Sequence, residues 1–172
     1  MVKILTFCKT IVIYHLKSFF AECIARLDMA FLLASSKLSV GNFRRLVTFV
    51  RDLTVAFRVS ASKARVGMVI YDWFPHEVFG FRKYKNNGAL YNRMNDLLRK
   101  PYKRTKGTRT GKAMRFALGK FFGKRSDVPK VMVIITSRKS SDGVNRYAYG
   151  ICTQNERNII YLEFKDEIIS LE

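Results

Sequence analysis

The sequence predicts an α/β domain of three layers, in which a mostly parallel central sheet is covered by helices on both faces. Two observations carry this. Met29-Ala30-Phe31-Leu32-Leu33-Ala34 and Val131-Met132-Val133-Ile134-Ile135-Thr136 are short apolar runs of the kind that suit strands buried on both sides. Between such runs lie segments whose apolar residues recur every three or four positions, the stripe of a helix resting on a sheet. Strands that alternate with helices along one chain close into a single α/β core.

Each element follows in order. After the first run, Ser39 or Asn42 offers an N-cap, and Phe43, Leu46, Val47, Val50, Leu53 and Phe57 form a helical stripe. Arg65-Val66-Gly67-Met68-Val69-Ile70-Tyr71 reads as the next strand. Pro75 interrupts, and Glu77 to Phe81 reads as a short third strand. The connection from Tyr71 to His76 has the length of a hairpin, so these two strands are expected to be antiparallel, giving the sheet one antiparallel edge strand. A helix is expected from Gly88 or Ala89 to Leu98, stopped by Pro101. A basic loop, Lys103 to Thr110, leads into a helix carrying Ala113, Met114, Ala117, Leu118 and Phe121 and ending at Gly123. Beyond Val131–Thr136, Tyr147–Ile151 and Ile159–Phe164 are further strand candidates.

The 172 residues suffice for one domain with a sizeable core, and 48% hydrophobic against 26% charged residues is an ordinary globular composition. The charge balance is not ordinary. Lys and Arg total 32 against 13 Asp and Glu, a formal net charge of +19. Such a charge repels itself and points to anionic partners: nucleic acid, sulfated glycan or acidic lipid surface. Three cysteines (Cys8, Cys23, Cys152) without a CxxC pair, and two distant histidines (His15, His76), exclude a zinc site. Cys23 and Cys152 are compatible with a disulfide in an exported chain or with free buried thiols.

Residues 1–25 have the outline of a secretory signal: Lys3, an apolar stretch from Ile4 to Tyr14, and Cys23-Ile24-Ala25 as a small-x-Ala site. Lys9, His15 and Lys17 fit that outline poorly, and an amphipathic N-terminal helix is the alternative. The apolar stretch is shorter than the roughly 20 residues a spanning helix needs, so stable membrane insertion is not expected.

Read in order, four segments resemble the von Willebrand factor type A (vWA) domain family of matrilins, collagens and integrins. Phe31 to Phe43 resembles its first strand and Asp-x-Ser-x-Ser loop, and Arg65–Tyr71 its second strand. Thr108-Arg109-Thr110-Gly111-Lys112-Ala113-Met114 resembles its threonine loop and following helix. Val131–Thr136 with Ser137 to Gly143 resembles its fourth strand and loop. The resemblance covers Arg26 to Glu172 and implies a Rossmann-like fold. The C-terminal end looks abbreviated, because Val144 to Ile151, which looks like the fifth strand, follows Gly143 with no room for the crossover of about a dozen residues that a parallel pair needs. A shortened or degenerate member of the family is therefore one reading of the chain.

The resemblance also implies a metal site, the MIDAS motif, in which two aspartates, two serines and a threonine hold a divalent ion at the carboxyl ends of the strands. Here the first aspartate position is Ala34 and the other is Ser137. Ser36 matches the first serine. Leu38 stands at the second, with Ser39 available by a one-residue shift, and Thr108 matches the threonine. Both carboxylates are missing, and Lys37, Arg109, Arg138 and Lys139 lie in the same loops. Neutral hydroxyls in a positive field do not compensate the dehydration of magnesium, so no metal and no other cofactor is expected. Asp142 is the nearest acid, five residues beyond Ser137. The ligand surface would be Ser36, Ser39, Thr108, Arg109 and Arg138.

From Arg82 to Arg125 fifteen basic residues face one acid, Asp96. Lys100, Lys103, Arg104, Lys106, Arg109 and Lys112 are the candidate polyanion contacts, with sulfated glycosaminoglycan the first partner an extracellular family suggests. Solvated helix faces with long side chains over apolar surface are the competing account. Gly107-Thr108-Arg109-Thr110-Gly111-Lys112-Ala113 fails as a phosphate loop, with three residues between its glycines and Ala113 where Ser or Thr is needed.

Together these features predict a non-catalytic, secreted module that binds a matrix protein such as a collagen, with no small-molecule substrate. A basic intracellular nucleic-acid-binding protein is the alternative, although no RNA-recognition or helix-turn-helix signature is present. No nucleophile–base pair or carboxylate dyad suggests an enzyme.

Overall fold

The computed structural model describes residues 3–6, 26–36, 38–99, 107–122, 128–142, 144 and 157–163. They form one six-stranded sheet with three helices. The elements are β1 (Lys3–Thr6), β2 (Asp28–Ala34), α1 (Val40–Val55), β3 (Arg65–Tyr71), β4 (Pro75–Phe79), α2 (Asn87–Arg99), α3 (Thr110–Phe121), β5 (Lys130–Thr136) and β6 (Arg157–Glu163). The strand order is β1-β6-β5-β2-β3-β4. The inner pairings, β6 with β5, β5 with β2 and β2 with β3, are all parallel.

Every residue of β2, β3 and β5 is buried, as the apolar runs require. The pleat sends alternate residues to opposite cores. Met29, Phe31 and Leu33 join Met68, Ile70, Val133 and Ile135 beneath α1 and α2. Ala30, Leu32 and Ala34 join Val69, Tyr71, Met132 and Ile134 beneath α3, where Ala113, Met114, Ala117 and Phe121 point down. The predicted stripe of α1 holds: Phe43, Leu46, Val47 and Val50 are buried, with Leu53 and Phe57 packed partly against them.

Ser39, rather than Asn42, caps α1, its Oγ accepting from the Asn42 amide at 3.1 Å. Ser39→Ala should lower stability by about 1 kcal/mol, read as a shift in the urea midpoint at constant slope. Helix α2 begins one residue before the expected Gly88, because Asn86 caps it by accepting from the Ala89 amide at 2.8 Å.

Three expectations about strands need amendment. The hairpin partner of β3 is antiparallel as predicted, but it spans Pro75–Phe79 rather than Glu77–Phe81. Pro75 opens this strand instead of interrupting it, which an edge strand tolerates because no neighbour needs its missing N–H. The sheet has a second antiparallel edge as well, where β1 lies against β6 with Lys3 opposite Glu163. The parallel partner of β5 is β6, the segment read as the last strand, and the other side of β5 is taken by β2. The segment read as the fifth strand is therefore not β5's neighbour, and residues 137–156 are long enough for the crossover. Residues 145–151 themselves, and all three cysteines, lie outside the described residues.

At the lower end of the sheet Asp28 stands opposite Arg65 on one side and Lys130 on the other. All three are buried. Arg65 grips Asp28 with two parallel hydrogen bonds, Nε to Oδ1 at 2.7 Å and a shorter one from the terminal nitrogen to Oδ2. Its guanidinium also lies 5.3 Å from the centre of the Phe81 ring.

Candidate functional site

The carboxyl ends of β2, β3 and β5 bring the predicted top-face residues into one neighbourhood. Ser35 closes the end of β2 by donating its amide to the Tyr71 carbonyl at 2.9 Å. Ser36, next along and buried, shares a short hydrogen bond between its Oγ and the Thr108 Oγ1. These two stand at the positions that the resemblance matches to the family's serine and threonine, and they are in direct contact. The remaining positions do not complete a metal site. Ala34 is 2% exposed and belongs to the apolar cluster under α3. Leu38 is 3% exposed and belongs to the cluster under α1. The Ser39 hydroxyl is engaged in its helix cap. Ser137 is half-buried just past β5, and Arg138 beside it is exposed. The matched positions supply two neutral hydroxyls bonded to each other and no carboxylate, which does not fit a magnesium ion. Among the described residues no cluster of three His, Cys, Asp or Glu side chains is placed to hold a metal.

Asp142, considered above only as a stand-in metal ligand, has a different job. Its Oδ1 accepts from the Gly111 amide and its Oδ2 from the Lys112 amide, both at 2.8 Å. Arg109 precedes α3 without any side-chain cap, so Asp142 satisfies that helix's first-turn amides from another loop. Ser140 completes the arrangement. Its Oγ donates to Asp142 Oδ1 at 2.5 Å and accepts from the Thr110 amide at 3.0 Å. The Thr108 carbonyl accepts from the Ser141 amide at 2.8 Å and from its hydroxyl at 2.9 Å. The loop after β5 is thereby stapled to the loop before α3. Sequence alone could not find this, because a carboxylate that caps a helix in trans leaves no local spacing signal.

Asp72, Trp73 and Phe74 were also missed. Asp72 sits at the end of β3 and is 2% exposed. Its carbonyl accepts from the Arg109 amide at 2.8 Å, and its Oδ1 accepts from the Phe74 amide at 2.9 Å. It thus ties the β3–β4 turn to the loop before α3. Trp73 and Phe74 project from that turn and are 37% and 57% exposed. Each ring carries a cation: the Arg109 guanidinium lies 4.4 Å from the Trp73 ring centre, and the Lys112 ammonium 4.1 Å from that of Phe74. Such contacts contribute about 0.5–1 kcal/mol each at exposed sites. On the loop itself Gly107 has φ +102°, and a Cβ there would lie 2.3 Å from the Trp73 indole. Glycine meets both demands, the left-handed backbone and the close approach of the ring.

Of the candidate polyanion contacts, Arg109 and Lys112 fall in this region. Lys100, Lys103, Arg104 and Lys106 lie outside the described residues, as does Lys37.

An open, mostly parallel sheet with hydroxyls, cations and exposed rings on loops at its carboxyl end defines a doubly covered α/β domain. The chain belongs to the von Willebrand factor type A domain family, whose model matches residues 28–162. It is 33% identical to human (Homo sapiens) vitrin over 154 residues, covering 80% of this chain and 22% of that protein. It is 30% identical to chicken (Gallus gallus) matrilin-1 over 121 residues, covering 67% of this chain and 24% of that protein. The chain thus spans less than a quarter of either relative. A solved structure of proximal thread matrix protein 1 from the mussel byssus, described as having a zinc-occupied MIDAS motif, superposes with a TM-score of 0.72 at 15% identity. It covers 81% of this chain and 36% of that one. No helix among the described residues is long and apolar enough to cross a membrane.

Proposed function

We propose that this chain is a non-catalytic, protein-binding vWA module of the extracellular matrix that engages its partner at the top of the sheet without a bridging metal. The observation that carries this reading is the Ser36–Thr108 hydroxyl pair, closed on itself, with Ala34 in the core where the family places an aspartate. Arg109, half-buried, and Arg138, exposed, are the side chains offered to a ligand beside the buried Ser36–Thr108 pair, and a collagen or another matrix protein supplying its own carboxylates is the partner they suit. Matrix-protein names among the relatives, matrilin-1 and a collagen VI chain, support the secreted setting. The charge of +19 supports a second ligand class, a polyanion such as sulfated glycosaminoglycan.

The metal-free reading is tested by thermal unfolding in magnesium or manganese. Any ion at a hundredfold excess over its Kd would add about 2.7 kcal/mol to the folded state. No shift is expected in either metal. A stabilisation lost in Thr108→Ala would show that the site still holds an ion.

A further inference from the structure

We infer that the cleft between the β3–β4 turn and the first turns of α3 is a binding site for a sulfated glycosaminoglycan chain. This rests on the polyanion reading above and gives it a location. The cleft is open, about 640 Å³ in volume, and Pro75 and Phe116 give it apolar lining. Arg109, Lys112 and Arg115 supply its cations. They stand at the N-cap and in the first two turns of α3.

Three features make this a built site rather than a solvated basic face. Arg109 and Lys112 are held on the rings of Trp73 and Phe74, so two flexible side chains are already ordered before any ligand arrives. Neither of them meets a carboxylate among the described residues. The cleft's one acid, Asp142, has both oxygens bonded to the Gly111 and Lys112 amides, where it caps α3, and leaves the three cations in excess. Two cations held on rings and a third beside them, next to apolar surface, match a chain that alternates sulfate groups with the C–H faces of sugar rings. An acidic peptide would use the cations and leave the apolar lining without a matching partner. A single-stranded nucleic acid would use aromatic faces open for stacking, whereas both exposed rings here already carry a cation.

The probe is a heparin oligosaccharide, titrated into the full chain and followed by the emission of Trp73, the one tryptophan. Binding at Arg109 is expected to change that emission. The variant R109Q/K112Q/R115Q is compared with R45Q/R58Q/R99Q, which removes equal charge from exposed cations elsewhere on the surface. The cleft variant should lose affinity by at least about tenfold, and its salt slope should fall by about 3, one for each contact removed. The control variant should keep nearly all of its affinity. Equal losses in the two variants, or heparin binding with unchanged Trp73 emission, would overturn the cleft while leaving general polyanion binding intact. The emission readout holds even if the cleft variant folds poorly. Wild-type protein that elutes from heparin well below physiological salt would overturn both. Polyglutamate, single-stranded DNA or desulfated heparin binding as tightly as heparin would overturn the assignment to a sulfated glycan.

Discussion

Asp28→Ala is expected to destabilise the domain by about 3–5 kcal/mol. The substitution leaves the Arg65 guanidinium, 10% exposed at its side chain, without its bidentate partner at the buried lower end of the sheet. Lys130, also buried and in register with Asp28, loses the neighbouring negative charge at the same time. For a domain of this size each kcal/mol moves the melting temperature by about 2–4 °C, so the drop should be on the order of 10 °C or more. The double change Asp28→Leu with Arg65→Met should recover much of the loss, because replacing a buried ion pair with packed apolar groups is often neutral. Calorimetry of the three proteins separates the two effects. Equal stability of Asp28→Ala and the parent would mean that the pair is solvated in solution.

The second large effect is at Asp142. Asp142→Ala strips α3 of the carboxylate that accepts from its first-turn amides, and a loss of about 1.5–3 kcal/mol is expected. Because Ser140 also spends its hydroxyl on that carboxylate, the loop after β5 should loosen with it. Millimolar sulfate should stabilise Asp142→Ala more than the parent, since a vacated helix N-terminus is an anion site. Melting curves with and without sulfate at matched ionic strength decide this. Equal shifts in the two proteins would mean that the amides find another partner.

Much of the fold was legible because its signals are periodic and local. The apolar runs of β2 and β5 and the stripe from Phe43 to Val50 report burial directly, and the short Tyr71–His76 connection reports an antiparallel hairpin. Pro75 misled because a proline is read as a breaker unless the strand is known to be an edge. The neighbour of β5 was hidden for a related reason. An apolar segment announces a strand but not its neighbour, and the partner of β5 is set by crossover length. The neutral metal positions Ala34 and Ser137 could be named from the resemblance alone. What could not be named was how these loops are held: Asp142 capping α3 from another strand's loop, and Trp73 and Phe74 carrying Arg109 and Lys112. Those contacts join residues some thirty or more positions apart, and no spacing rule reaches across such a gap.

The pairing of β1 with β6 bears on mechanics. Lys3 lies opposite Glu163 and Thr6 opposite Ile160, so the outward-leading ends of the two strands sit side by side on one edge. Tension applied through the two ends of the domain would load the Lys3–Glu163 end of this ribbon first and open it bond by bond, as a zip opens. The parallel strands behind it would stay unloaded until β6 itself is drawn away. In a tethered chain pulled from both ends, the first event should therefore be a small, low-force extension that releases β1 alone.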